Sequence, residues 1–154
     1  MADLEKSRPK SDSVENALGQ VGDMWSFLIL RDAFFGVRRF DAFQKSTGAS
    51  PNILSDRLKK FVGFQILEKH RYLDRPPRFE YRLTKKGREL YPAIVLLMKW
   101  GDRWTGECDR PPLVLHHKRC GNITEPVLVC DHCGEEIDVR EMDWSVADPE
   151  DVKS

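Results

Sequence analysis

A chain of 154 residues with no net formal charge has room for one good core, or for one domain and a small appendage that needs a staple of its own. It carries no apolar run of membrane-spanning length and no charged-then-apolar leader, which predicts a soluble, cytoplasmic protein with no membrane partner. Four cysteines, Cys108, Cys120, Cys130 and Cys133, are too few and too clustered for a secreted disulfide scaffold, and they suit thiolate ligands in a reducing compartment.

The neutral total hides two opposite parts. From Arg31 to Leu90, 15 Lys and Arg stand against 7 Asp and Glu, a surplus of +8; from Gly121 to Ser154 only 2 stand against 10, a surplus of −8. A basic part of this kind is expected to meet a polyanion or an acidic surface. Composition alone leaves that reading level with a blander one, in which Lys and Arg only solubilise helical surfaces, so placement along the chain has to decide.

In chain order, residues 1–12 are polar and read as a flexible arm. Val14, Ala17, Leu18 and Val21 recur at helical spacing, and after Gly22-Asp23 comes the dense run MWSFLILRDAFF, so two helices follow each other and the second is largely buried. Trp25, Phe34 and Phe35 read as core aromatics. Phe40 and Phe43 anchor a short helix, DAFQKST, which Gly48 stops as a C-cap. In SPNILSDRLKKF, Ser50 is an N-cap, Pro51 fits the first turn, and Leu54, Leu58 and Phe61 form one apolar stripe opposite Asn52, Ser55, Asp56, Lys59 and Lys60. Ile66 to Leu73 and Arg78 to Leu83 alternate as two strands joined by Asp74-Arg75-Pro76-Pro77, a stiff basic tip. Thr84 is expected to cap a last long helix running through Leu90, Ile94, Leu97, Met98 and Trp104.

Helix, short helix, turn, polar-faced helix and a hairpin with a basic tip is the order of a winged helix-turn-helix. The fold class is therefore mainly α with a β-hairpin wing, over residues 13–106, and double-stranded DNA is the partner. The polar face of SPNILSDRLKKF would enter a major groove, with Ser50, Asn52, Ser55, Arg57 and Lys59 as candidates for contact with DNA. Arg75 and Arg78 on the wing, and Arg38, Arg39 and Lys45 before it, would lie along phosphates and position without specifying. Against this stand ordinary roles: Ser50, Asn52 and Ser55 as cap and surface residues, and Arg57 as an internal ion-pair partner.

The stretch from Ser13 to Trp104, and within it WSFLILRDAFFGVRRF, LSDRLKKF and PPRFEYRLTKKGREL, resembles the HxlR family of bacterial transcriptional regulators, relatives of MarR-type winged-helix proteins. The resemblance implies a homodimeric DNA-binding regulator, commonly a repressor, with dimer contacts from the first and last helices. Members often carry a reactive cysteine just before the first helix, where this chain has Asp12 and Ser13; thiol sensing there is not expected. The last helix supports a dimer independently, since Leu90, Ile94, Leu97, Met98, Trp100 and Trp104 offer more apolar surface than a small domain needs to cover. No motif names an inducer.

Residues 107–140 form a second piece, expected to be a small β-hairpin appendage like a zinc ribbon, followed by an acidic tail at 141–154. His117-Lys118-Arg119-Cys120-Gly121 and Cys130-Asp131-His132-Cys133-Gly134 are two turns of one form. Tetrahedral zinc takes two donors from such a turn, and the following Gly permits close backbone approach, so His117, Cys120, Cys130 and Cys133 are the expected ligands of a structural zinc. The nine-residue spacer is shorter than the usual ribbon spacing and one donor is His; a metal-free hairpin is the alternative. His116 and His132 could compete as ligands, and Cys108 reads as a free thiol. The intervening NITEPVLV reads as a short strand pair. A catalytic zinc would need an open coordination position and a placed base, and no phosphate loop or nucleophile motif is present, so an enzyme is not expected. The alternative function is a ribbon that docks another protein beside the DNA-binding domain, with Asp148 to Asp151 in contact.

Overall fold

A computed structural model of the chain describes residues 12–105 and 113–143. Apart from Asp12, the arm expected at 1–12 lies outside the described residues, as do Cys108 and the tail from residue 144 on. The chain divides into two compact units, one spanning Leu18–Pro126 and one drawn from the described residues on either side of it. Among the described residues no helix is long and apolar enough to cross a membrane.

Six helices and one hairpin make up most of the structure. Helix α1 spans Ser13–Val21, and Asp12, at the position where a cysteine was not found, accepts the Val14 amide at 2.8 Å on Oδ1. Asp23 caps α2, Met24–Phe34, by accepting from the Ser26 amide. The chain then turns at Gly36, whose φ of 91° is open to glycine at no steric cost. Helix α3, Phe40–Thr47, stops at Gly48 in the left-handed conformation. Ser50 caps α4, Pro51–Gly63, with Pro51 in the first turn.

The hairpin follows: β1, Leu67–Asp74, pairs antiparallel with β2, Pro77–Leu83, in a register that sets Leu67 against Leu83 and Asp74 against Pro77. Its tip is therefore Arg75-Pro76, tighter than the four-residue link expected. Leu54, Leu58 and Phe61 from α4, Ile29 and Leu30 from α2, Phe43 from α3 and Ile66 are all essentially inaccessible to solvent and form one core with Leu67 and Ile94. Each such side chain contributes about 1.5–3 kcal/mol through removal from water. Trp25 and Phe34 pack against this core, but Phe35 is exposed, because it is the C-cap residue and stands past the buried stripe of α2.

The long last helix expected after Thr84 is broken. Thr84 caps a single turn, α5, Lys85–Arg88, by accepting from the Gly87 amide, and a second helix, α6, runs over Tyr91–Trp104. Pro92 explains the break, since it has no amide hydrogen and its ring would collide with the Arg88 carbonyl in a continuous helix. Helix α5 lies close against the strand start: a Cβ on Gly87 would stand 2.2 Å from the Ile66 carbonyl oxygen. Replacing Gly87 with Ala is thus expected to lower the unfolding free energy by about 1–3 kcal/mol, as overpacking does elsewhere. A urea titration reads this as a lower midpoint at unchanged slope; an unmoved midpoint would show that α5 can shift away freely.

Candidate nucleic-acid interface

Burial of Leu54, Leu58 and Phe61 fixes which way α4 faces. Asn52, Ser55, Asp56, Lys59 and Lys60 are consequently exposed together on the opposite side, at the spacings that share one helical face. Lys60 pairs with Asp56 one turn back, at 3.2 Å, which removes part of the charge that opposes phosphate. Lys59 has no ion-pair partner among the described residues.

The wing is tied to the segment before α3. The Tyr81 amide donates to the Arg38 carbonyl at 2.7 Å, and the backbones of Arg39 and Glu80 pair as an isolated antiparallel β-bridge. The Arg39 guanidinium lies over the Tyr72 ring at 4.8 Å. Arg38, Lys45, Arg75 and Arg78 are exposed, and none of them has an ion-pair partner among the described residues. Two further exposed wing cations were missed in the sequence, Lys69, stacked over Phe79 at 4.0 Å, and Arg71, bonded to Asp74. Strand alternation could have placed the two together on one face of β1, where the register sets them against Tyr81 and Phe79.

Arg57 is placed differently from the other residues of α4. Its Nε donates to Asp23 Oδ1 at 3.0 Å and its Nη1 to Asp56, so the guanidinium ties α4 to the first turn of α2. Asp23 also accepts from the Ser26 hydroxyl at 2.7 Å. Partial burial works against the charge on Asp23, but the bonds from Ser26 and from Arg57, with the Arg57 charge, together outweigh it and hold the carboxyl below its ordinary range. A second link joins α2 to α3, where buried Asp32 accepts from Ser46 and pairs with Arg31 at 2.8 Å.

Helix α6 divides into two faces. Ile94 and Val95 are buried, whereas Leu97, Trp100 and Trp104 are 49%, 57% and 65% exposed along one stripe. Large apolar groups in such a row mark a surface that binds something.

The two Cys/His turns share their geometry. His117 and Cys120 close one of them: the Gly121 amide donates to the His117 carbonyl at 2.8 Å with Gly121 at φ 74°, and the His117 amide bonds to Asn122. It sits on a hairpin of β3, Leu115–His116, and β4, Ile123–Thr124. In the other, the Gly134 amide donates to the Cys130 carbonyl at 2.9 Å with Gly134 at φ 77°, and Val129 bridges to Glu136. The expected strand pair inside NITEPVLV is therefore absent; each half pairs outward across its own Cys turn, and Pro126 between them has no amide to give a ladder. His117 Nδ1 lies 3.4 Å from Cys120 Sγ, against about 3.6 Å between N and S donors on one tetrahedral zinc. Amides of Cys133 and then His132, with the Cys133 thiol, hold the Cys130 thiol below its usual range. Among the described residues no group of three or more His, Cys, Asp or Glu side chains is placed to hold a metal ion.

A family model described as HxlR-like helix-turn-helix matches residues 20–109. An HTH-type transcriptional regulator of Mycobacterium tuberculosis is 45% identical over 135 residues, covering 88% of this chain and 85% of the relative. A crystal structure of PA1607, titled as a transcription factor, superposes with a TM-score of 0.79 at 32% identity, over 94% of this chain and 99% of that one. The redox regulator HypR in its reduced form superposes with a TM-score of 0.57 at 27% identity, over 61% and 96%.

The Asp23 network carries a pH signature. A carboxyl whose folded pKa is depressed adds stability at pH values above the unfolded range, and that stability is lost as pH falls through the folded pKa. Asn at position 23 keeps one acceptor oxygen for the Ser26 amide and Arg57, and replaces the charge and the acceptor of the Ser26 hydroxyl with an amide NH2. Asp23→Asn is therefore expected to lower the urea midpoint at pH 7, with the gap to the wild type closing towards pH 3. A gap of the same size at both pH values would show that the charge on Asp23 contributes nothing.

Proposed function

The chain belongs to the HxlR-like helix-turn-helix family, and on that premise we propose that it is a cytoplasmic, homodimeric repressor that grips a pseudo-palindromic operator through α4 and the basic wing. The family and the relatives are DNA-binding transcriptional regulators, not enzymes. What supports the finer reading is one observation: α4 presents Asn52, Ser55 and Lys59 on a face kept free by the burial of its other side, flanked by Arg38, Lys45, Arg75 and Arg78, which have no ion-pair partner among the described residues. Two such faces must sit about one DNA turn apart, roughly 34–36 Å, and the Leu97, Trp100, Trp104 stripe of α6 supplies apolar surface for joining two copies. Arg57 holds α4 in place through Asp23, while Ser50 caps it; both set where the reading face points.

Reading and gripping separate by experiment. Asn52, Ser55 and Lys59 would meet base edges, each good contact adding about 1–3 kcal/mol of discrimination. Arg38, Arg39, Lys45, Arg75 and Arg78 would neutralise phosphates, each adding about 0.9 to the slope of log affinity against log salt. In a salt titration on operator and scrambled duplexes, Ser55→Ala is expected to weaken the operator alone, and Arg78→Ala to weaken both and flatten the slope. A dimer-splitting Leu97→Glu, checked by sedimentation, should bind either duplex only weakly. Salt-independent binding by the wild type would overturn the assignment.

The donor chemistry of each turn fits zinc: two donors three positions apart in each, thiolate-favouring amides at Cys130, and a donor separation at His117 and Cys120 close to a tetrahedral edge. His117, Cys120, Cys130 and Cys133 would hold it as a structural ion, cross-linking a segment poor in core. About one equivalent of zinc per chain should co-purify and disappear in Cys130→Ser, while DNA binding survives. Elemental analysis of wild-type protein free of zinc, even after zinc is offered, would remove the metal from this account.

A further inference from the structure

Between α6 and the β3–β4 hairpin of the same unit lies a cavity of about 460 Å³, inside the range of about 300–1,000 Å³ that small-molecule sites occupy. Val95 and Met98 of α6 and Leu115 and Ile123 of the hairpin give it apolar walls. The hairpin is propped against the helix by Lys99, whose Nζ donates to the Pro126 carbonyl at 3.1 Å and stands 3.7 Å from Glu125. That prop helps keep the space open. A gap of this size is far beyond the voids of a packed interior, and an apolar guest would displace water from its Val95, Met98, Leu115 and Ile123 walls.

Charge narrows the guest further. Lys99 and Arg103 line the cavity together with Asp102 and Glu125, a formal total of zero. Lys99 is already matched by Glu125, and Arg103 stacks on Trp104 at 5.0 Å, so neither sign of ligand charge meets an excess of the opposite sign. We propose that this cavity is a binding site for an uncharged, mostly apolar small molecule, and that its occupancy regulates the protein. The regulatory half rests on the dimeric, DNA-binding reading above. Helix α6 turns Val95, Met98 and Asp102 to the cavity and Leu97, Trp100 and Trp104 to the opposite side, so a guest that tilts the helix changes the surface that sets the spacing of the two reading helices. Such a ligand shifts the population only through its unequal affinity for the two arrangements.

Binding is tested on the full chain without DNA, using N-phenyl-1-naphthylamine, an uncharged aromatic amine that fluoresces on leaving water. Saturable uptake of one probe per chain is expected. Ile123 is 64% exposed, so Ile123→Arg should leave the fold intact; its long stem lying across the apolar wall, with the charged head at the mouth, should weaken the probe about tenfold or more. Val139→Arg, which removes a different exposed apolar group, should bind the probe as the wild type does. Unsaturable uptake, or equal affinity in Ile123→Arg, would overturn the site. So would a monomeric Ile123→Arg in sedimentation, since the cavity would then belong to the contact between copies. Because no duplex is present, a failure here leaves the DNA reading standing, and a failure of the salt titration leaves the probe result standing.

Discussion

Everything that this protein presents to a partner depends on how α4 is buried. Leu54, Leu58 and Phe61 are each completely enclosed, and rotating the helix about its axis would carry all three into water while bringing Asn52, Ser55 and Lys59 into the core. Three such side chains together represent about 4.5–9 kcal/mol of apolar transfer, comparable with the whole stability of an ordinary domain. The reading face is therefore fixed by what lies behind it. The Arg57–Asp23 pair adds direction more than energy: it is partly exposed, so solvent screens it, but it ties the first turn of α2 to the middle of α4.

The same economy governs charge. The basic surplus of the first part is not spread evenly, because several cations are already matched: Arg31 by Asp32, Lys60 by Asp56, Arg82 by Glu80 and Arg71 by Asp74. Among the described residues those without a carboxylate partner include Arg38, Lys45, Lys59, Arg75 and Arg78, in α4, the hairpin, and α3 with the segment leading into it. Arg39 and Lys69 lie over aromatic rings, and in α5 Lys86 and Arg88 bond to nearby carbonyls while Lys85 is also without a carboxylate. A polyanion releases counterions only for charges that are not already neutralised within the protein, which is why unmatched cations say more about function than the net count does.

Much of the fold was legible because its punctuation is chemical. Gly48, Ser50 and Pro51 each have one favoured place at a helix end, and the stripe of α4 has one period, so the boundaries of α3 and α4 could be read directly. The break before α6 was equally present in the sequence, in Pro92, but the apolar spacing on either side of it masked the interruption. Phe35 was misplaced because hydrophobicity does not reveal that a helix has already ended. Arg57 could be assigned to neither face of α4, since its partner lies 34 positions away and long-range pairs leave no local signal. In the Cys/His segment the turns were visible through their glycines; the pairing was not, because a short antiparallel ladder depends on which turn closes first, and here each Cys turn closes its own.

Helix α6 shows why a small regulator can combine binding and response in one element. Ile94 anchors it to the core through one side, and Phe34 meets Tyr91 edge-on at 5.1 Å, so its first turns move with α2. Its later turns leave the core, where Lys99 reaches the hairpin and Leu97, Trp100 and Trp104 face solvent. Held to the core through Ile94 and Met98 and, among the described residues, tied further along to the hairpin by Lys99 across the cavity, the helix has fewer constraints towards its far end. Small changes in what fills that cavity then act at the exposed stripe with the leverage of a rod pivoting on Ile94, without disturbing the packing that holds α4.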